Sequence, residues 1–164
     1  MGTFYTDVIQ TDARFHATAE CRDLALLEPA TRAAVAAIIA DAAAEGIELF
    51  VTETYRSAER QEMLFARGST QLHTVGVHHF GLAADFAKMI DGVASWGGDW
   101  GFLCKLAVAH GCISGGDWGE PAVAHSFRDF DHVQACTLAQ QPALFAGSWY
   151  PAAAIAAVPA EGAD

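Results

Sequence analysis

Hydrophobic and polar positions along this chain fall into short blocks whose period changes repeatedly. Val35, Ile38, Ile39 and Ala42 recur at helical spacing behind Pro29-Ala30-Thr31, and Gly46 follows as a stop, predicting a helix over 29–44. The run Ile47 to Tyr55 is rich in β-branched and aromatic residues and reads as a strand. Ser57 is a good N-cap for a helix ending near Arg67-Gly68, with Arg60 and Gln61 in its first turn; residues 69–77 then form a loop. A strand over 83–90 meets the turn Asp91-Gly92 and returns as Val93 to Trp96. Asp99 caps a helix through His110, stopped by Gly111, with a short strand at 112–114 beyond it. A loop over 115–121, a last strand at 132–135 and a closing helix over 137–146 complete the pattern, while residues 1–28 show no clear period. Helices and antiparallel strands mix without repeated βαβ units, so the expected class is α+β, a small antiparallel sheet with helices packed around it. One domain over 1–150 is expected, with a flexible Ala/Pro-rich tail over 151–164.

Composition narrows the possible partners. With 164 residues, 52% apolar and 18% charged, the chain can bury a real core. A net charge of −11 with no basic patch excludes a nucleic-acid backbone as partner and disfavours docking on anionic membranes or teichoic acids. The four cysteines, Cys21, Cys104, Cys112 and Cys136, form no C-x-x-C pair, so a thiolate zinc knuckle is not expected. No charged n-region precedes an apolar run at the start, and the Ala-rich stretch 33–44 is too short and carries Asp41. Synthesis in the cytoplasm without a signal peptide and without membrane insertion is expected, and the protein is read as a monomer.

Chemistry concentrates in two stretches. His78-His79-Phe80-Gly81-Leu82-Ala83-Ala84-Asp85 offers a histidine and a carboxylate seven residues apart, and Asp129-Phe130-Asp131-His132 offers a second histidine with acids before it. Two imidazoles and one carboxylate on Zn²⁺ leave a position open for water, and a further carboxylate nearby can act as general base. The alternation of Gly81, Ala83 and Asp85 suits a strand that needs room close to a metal. A histidine picked at random is more often structural than a ligand. Six of the seven, however, lie between His73 and His132. His73 reads as a surface residue, His110 as a helix-end partner and His125 as a loop residue near the cleft. Trp96, Trp100 and Trp118 read as core or cleft wall, with Trp118 the candidate for touching substrate. Glu53 stands on the strand before Arg56, where it can orient that arginine.

These residues, in this order, resemble the zinc peptidases of bacterial cell-wall peptides, which include VanX/VanY-type D-Ala-D-Ala peptidases and phage L-alanyl-D-glutamate endolysins. That family carries S-x-H-x-x-G-x-A-x-D and a late D/E-x-x-H, matched here by His78, Gly81, Ala83 and Asp85, then Asp129 and His132. Tyr55-Arg56-Ser57 followed by Gln61 is similar to the family's upstream Y-R-S-x-x-x-Q, and the likeness runs from about Leu24 to Gln134. The resemblance implies a zinc site at one face of the sheet, with His78, Asp85 and His132 as ligands and Asp129 as general base. It makes Arg56 an oxyanion or carboxylate partner, and Ser57 and Gln61 substrate contacts, beside Trp118 as read above. The family's serine is Gly76 here, and Asp131 stands where proline is frequent, so Asp129 and Asp131 are both within reach of the base's role. If that segment is extended, the two acids share one face and His132 takes the other. His79 competes with His78, and the H-x-x-G register favours His78.

The activity implied is zinc-dependent cleavage of a peptidoglycan stem peptide by an L-alanyl-D-glutamate endopeptidase of endolysin type, reaching the cell wall after holin-type release. A D-Ala-D-Ala carboxypeptidase or dipeptidase shares the same catalytic residues and stands as the alternative. A non-catalytic zinc-binding interaction domain is the other, and it has no need of Asp129.

Overall fold

The computed structural model describes residues 2–73 and 75–152. The tail expected over 151–164 therefore lies outside the described residues, apart from its first two. Helix α1 spans Pro29–Ala44, as its apolar stripe requires: Val35, Ile38 and Ala42 are buried, and Glu28 caps the start through Thr31 N at 2.9 Å. Strand β1, Leu49–Glu53, follows, shorter at both ends than the pattern suggests. Helix α2, Ala58–Ala66, opens on Ser57, whose hydroxyl accepts from Arg60 N at 3.0 Å. A 3₁₀ turn over Val77–Phe80 leads to β2, Ala83–Ile90, and the Asp91-Gly92 turn, with φ of 51° and 77°, returns the chain as β3, Val93–Ser95. Helix α3, Gly101–Ala109, and strand β4, Ile113–Gly115, precede β5, Asp129–Gln134, and the short α4, Gln141–Phe145.

The last strand and last helix differ most from their expected bounds. Strand β5 begins three residues earlier because Gly115 allows the chains to approach: a Cβ there would sit 2.3 Å from the Asp129 carbonyl oxygen. Helix α4 starts late because Thr137 and Gln140 cap one another's backbone N–H groups, at 3.2 and 2.9 Å, and hold 137–140 as a turn. The unassigned N-terminal stretch contains a π-helical turn at Tyr5–Ile9 and a 3₁₀ turn at Leu24–Leu26.

All strand pairs are antiparallel, in the order β1-β2-β5-β4, with β3 also on β2. Period-2 alternation divides the middle of the sheet into two faces. Ala84, Phe86 and Val133 go into a core shared with α1 and α3, whose members include Leu27, Val35, Ile38 and Leu103. Asp85 and His132, directly paired across β2 and β5, carry the other face. The expected α+β class holds.

Gly81 has a different reason from the one its position suggested. Its φ is +70°, and a Cβ would lie 2.6 Å from Leu26 O and 2.7 Å from the Ile9 side chain. The glycine serves close packing against the N-terminal segment, and Ala83 packs in an apolar cluster with Leu82 and Leu144, so neither makes room for a metal.

Candidate metal centre and active site

His78 enters the site from the 3₁₀ turn, and its ring is fixed from behind by Nδ1–H donating to Thr54 O at 2.7 Å. That bond turns Nε2 forward. His132 is fixed in the opposite sense: Nε2–H donates to Gln134 Oε1 at 3.0 Å, which turns Nδ1 forward. The forward nitrogens lie 3.2 Å apart, and Asp85 Oδ1 is 3.1 Å from the first and 2.8 Å from the second. Tetrahedral zinc with bonds of about 2.0–2.1 Å sets its nitrogens about 3.3 Å apart, so this spacing suits the ion. Both histidines also have the outer hydrogen bond that orients a metal-binding imidazole. Among the described residues these three form the one group of histidine, cysteine and acid side chains able to hold a metal.

The electrostatics point the same way. Burial alone would raise the Asp85 carboxyl, but His78 and His132 outweigh it and hold it well below the usual carboxylate range. Burial would lower His132, and the Asp85 carboxylate reverses that and raises it. A position that draws positive charge between these three groups suits a cation.

Arg56 stands beside this centre. Its guanidinium is bonded to Glu53 through Nε and Nη2, to Gln61 Oε1 through Nη1 at 3.2 Å, and to Asp85 Oδ2 through Nη2 at 3.2 Å. Of the five N–H donors of an arginine, these bonds leave one on Nη1. A two-pronged grip on a substrate carboxylate, expected from the residue type, is therefore closed off by internal partners. Glu53, buried and bonded to both Arg56 and Arg60, does orient the arginine. Burial would raise its carboxyl, and Arg56 more than compensates and lowers it.

A cavity of about 390 Å³ opens over the three donors, lined also by Arg56, Gln61, Trp118, Asp129 and Asp131. Gln61 lines it but spends its amide on Thr70 Oγ1 at 3.1 Å and Leu72 O at 2.8 Å, tying down the loop after α2. Trp118 forms a wall beside His132, ring centres 5.7 Å apart, with its Nε1–H held by Phe127 O. Ser57 is placed elsewhere. Its hydroxyl caps α2 and donates to Ala17 O, so it is buried in a structural position rather than lining the cleft.

The expectation that Asp129 and Asp131 face away from His132 fails because β5 bulges. Ser114 pairs with Val133 and Gly115 with Asp129, leaving 130–132 as extra residues against β4. Both acids and His132 then line one cleft. Burial, together with the charges of Asp85 and Asp129, pushes the Asp131 carboxyl up to about 7.

His79 turns away from the metal side. Nδ1–H donates to Arg56 O at 3.2 Å and Nε2 accepts from Tyr5 OH at 2.9 Å, within a nest of Tyr5, Phe15 and Tyr55. His73 meets Glu62 at 3.1 Å, His110 reaches Asp41 at 2.7 Å, and His125 stays in the loop by Glu120 O at 3.4 Å. Three supports escaped sequence reasoning: the Thr54 carbonyl, Gln134 and Gly115. Only Gln134 left a signal, its two-residue spacing from His132 along a strand.

No family model matches the chain. It is 29% identical, over a 127-residue alignment covering 66% of this chain and 72% of the relative, to the peptidoglycan L-alanyl-D-glutamate endopeptidase CwlK of Bacillus subtilis. The chain is thus similar in sequence to a peptidoglycan-hydrolysing endopeptidase. Two solved structures share its fold. The Serratia marcescens L-Ala D-Glu endopeptidase ChiX superposes with a TM-score of 0.53 at 24% identity, covering 74% of this chain and 86% of its own. The vancomycin-resistance D,D-pentapeptidase VanY of the VanB-type cassette, in complex with Zn(II), gives 0.50 at 19%, covering 66% and 71%.

Proposed function

We propose that this protein is a zinc-dependent peptidoglycan peptidase that hydrolyses the L-alanyl–D-glutamate bond of stem peptides at the cell wall. One observation carries the reading: His78 Nε2, His132 Nδ1 and Asp85 Oδ1 converge in a cleft that Asp129 and Asp131 also line. Its relationship to CwlK supports the choice of bond.

His78, Asp85 and His132 would hold the zinc. When bound, that ion supplies Lewis acidity, polarising a peptide carbonyl and making water acidic enough to attack near neutral pH. Asp129 takes the proton of the attacking water. It then returns that proton to the departing D-glutamate nitrogen, so that the broken C–N bond leaves an L-alanyl carboxylate and a free amine. Asp131, at the same wall, is the reserve candidate for the base. Arg56 keeps Asp85 turned toward its imidazole partners and offers its last Nη1–H to an oxygen that gains charge. Glu53 and Gln61 hold the guanidinium in that position, and Trp118 closes the cleft on the His132 side.

Two carboxylates above the three donors speak against a purely structural metal site, which needs no base. Mass spectrometry of purified muropeptides after digestion tests the proposal. Muramyl-L-alanine and peptides beginning with D-glutamate are the expected products. Release of D-alanine alone would move the bond to D-Ala-D-Ala, and intact muropeptides from a fully zinc-loaded protein would make the domain a binding module.

A further inference from the structure

Asp129 and Asp131 line a second cavity as well, one of about 620 Å³ on the far side of the two carboxylates from the metal donors. The reacting centre is thus a junction, and a bound chain has one arm on each side. The lining of this second cavity also carries Trp96, Trp100, Phe130 and Arg128. Trp96 and Phe130 are 54% and 49% exposed, although large rings ordinarily gain by burial. The loop bearing Trp96 is held in place by Trp100 Nε1–H, which donates to Trp96 O at 2.8 Å. Gly116, also in the lining, lets the backbone pack tightly against Cys104, since a Cβ there would lie 2.9 Å from Cys104 Sγ.

Charge assigns the arms. Asp99 and Asp117 join Asp129 and Asp131 around this cavity against the one guanidinium of Arg128, so an anionic peptide is unwelcome there. On the cleft side Arg56 and Arg60 balance Glu53 and Asp85, and a bound zinc would add positive charge, so that side suits the D-glutamate arm with its free carboxylate better. What remains on the L-alanine side is the muramyl sugar, uncharged once its lactyl carboxyl is joined to L-alanine. A pyranose offers an apolar face for aromatic rings and hydroxyl and acetamido groups for acids and arginine.

We propose that the second cavity is a subsite for the amino sugar attached to the L-alanine of the stem peptide, its apolar face on Trp96 and Phe130 and its polar rim on Asp99 and Arg128. This rests on the proposed cleavage between L-alanine and D-glutamate. The test compares kcat/KM for an L-Ala-D-Glu stem peptide with and without N-acetylmuramic acid on the L-alanine. The sugar should raise kcat/KM by about tenfold, the scale of one good aromatic contact. Trp96→Ala should remove most of that gain and leave hydrolysis of the sugar-free peptide unchanged. Arg128→Ala, at another part of the wall, should act in the same substrate-dependent way. Equal rates on both substrates in the unsubstituted protein would overturn the subsite, as would losses in the variants that are the same on both. Cleavage of neither substrate would instead overturn the proposed function beneath it.

Discussion

The two faces of one sheet are built by opposite rules. On β2, Ala84 and Phe86 are wholly buried among apolar neighbours, while Asp85 between them faces two histidines and an arginine. The apolar face is held by volume, where many side chains of similar size serve and no direction is required. The polar face is held by direction. Thr54 O sets which nitrogen of His78 turns inward, Gln134 does the same for His132, and Arg56 takes the second oxygen of Asp85. Among the described residues, no buried side-chain nitrogen or oxygen lacks a hydrogen-bond partner. The lesson is that this site is preorganised by partners outside the three donors, and that a volume-conserving change harmless on one face is ruinous on the other.

His132→Ala should break that contrast most completely. It removes one of three proposed ligands and leaves Asp85 without its shorter partner. Elemental analysis should find no retained zinc, and hydrolysis of purified peptidoglycan should fall to background. Full zinc content in the variant would disprove the ligand set. Asp129→Asn comes next, since it keeps shape and removes the proton acceptor. Zinc and fold should survive while kcat falls by about 10²–10⁴. Asp131→Asn, on the same bulged strand, is the matched control and should be milder. If the Asp131 variant is the inactive one, the base sits two residues later than the motif register places it.

How much of this was legible in the sequence follows the same division. Helix α1 and the hairpin at Asp91-Gly92 were readable nearly to the residue, because a 3.6 period with a Pro start and a Gly stop has few other solutions. The proposed ligand trio was readable only through ordered motifs, since nothing local links His78 to His132. The bulge in β5 was not readable. It depends on Gly115 meeting the Asp129 backbone, a contact between segments with no pattern of their own. Arg56 was legible as a site residue and Glu53 as its orienting partner, while the bonds to Asp85 and Gln61 were not, so the guanidinium looked available to substrate. Ser57 matched the family motif and still proved to be a cap, because its hydroxyl is spent on Arg60 N and Ala17 O.

Phe86→Ala tests the volume face. The ring is wholly buried in the core under α1 and α3, and its removal leaves a cavity that the surroundings fill only in part. Unfolding in urea should show a loss of about 3–5 kcal/mol. Zinc stoichiometry at low temperature should be unchanged, because Phe86 points away from the donors although it adjoins Asp85. A variant that loses zinc while folded would mean that the two faces are coupled more tightly than their contacts indicate.

The smallest effect belongs to charges held by direction but left near water. Asp12 accepts from Arg14 Nε at 2.8 Å, from Arg14 Nη2 at 2.9 Å and from Arg14 N at 2.8 Å, and Arg14 Nη1 continues to Asp23 at 2.8 Å. Those bonds from Arg14, side chain first and backbone second, hold the Asp12 carboxyl down at about 2. A carboxyl depressed on folding stabilises the protein above its unfolded pKa, about 3.9, and that contribution is lost as pH falls through the folded value. The window is therefore between about pH 4 and pH 2. Because the Arg14 side chain is 42% exposed, solvent screens the pair, and Asp12→Asn should cost less than about 1 kcal/mol at neutral pH. Urea midpoints taken across that window should fall less steeply with acid in the variant than in the unsubstituted protein. Parallel acid limbs would show that the Asp12–Arg14 pair contributes no net stability, despite geometry as good as that around the metal donors. Burial, rather than bond geometry alone, would then be what gives the polar face of the sheet its strength.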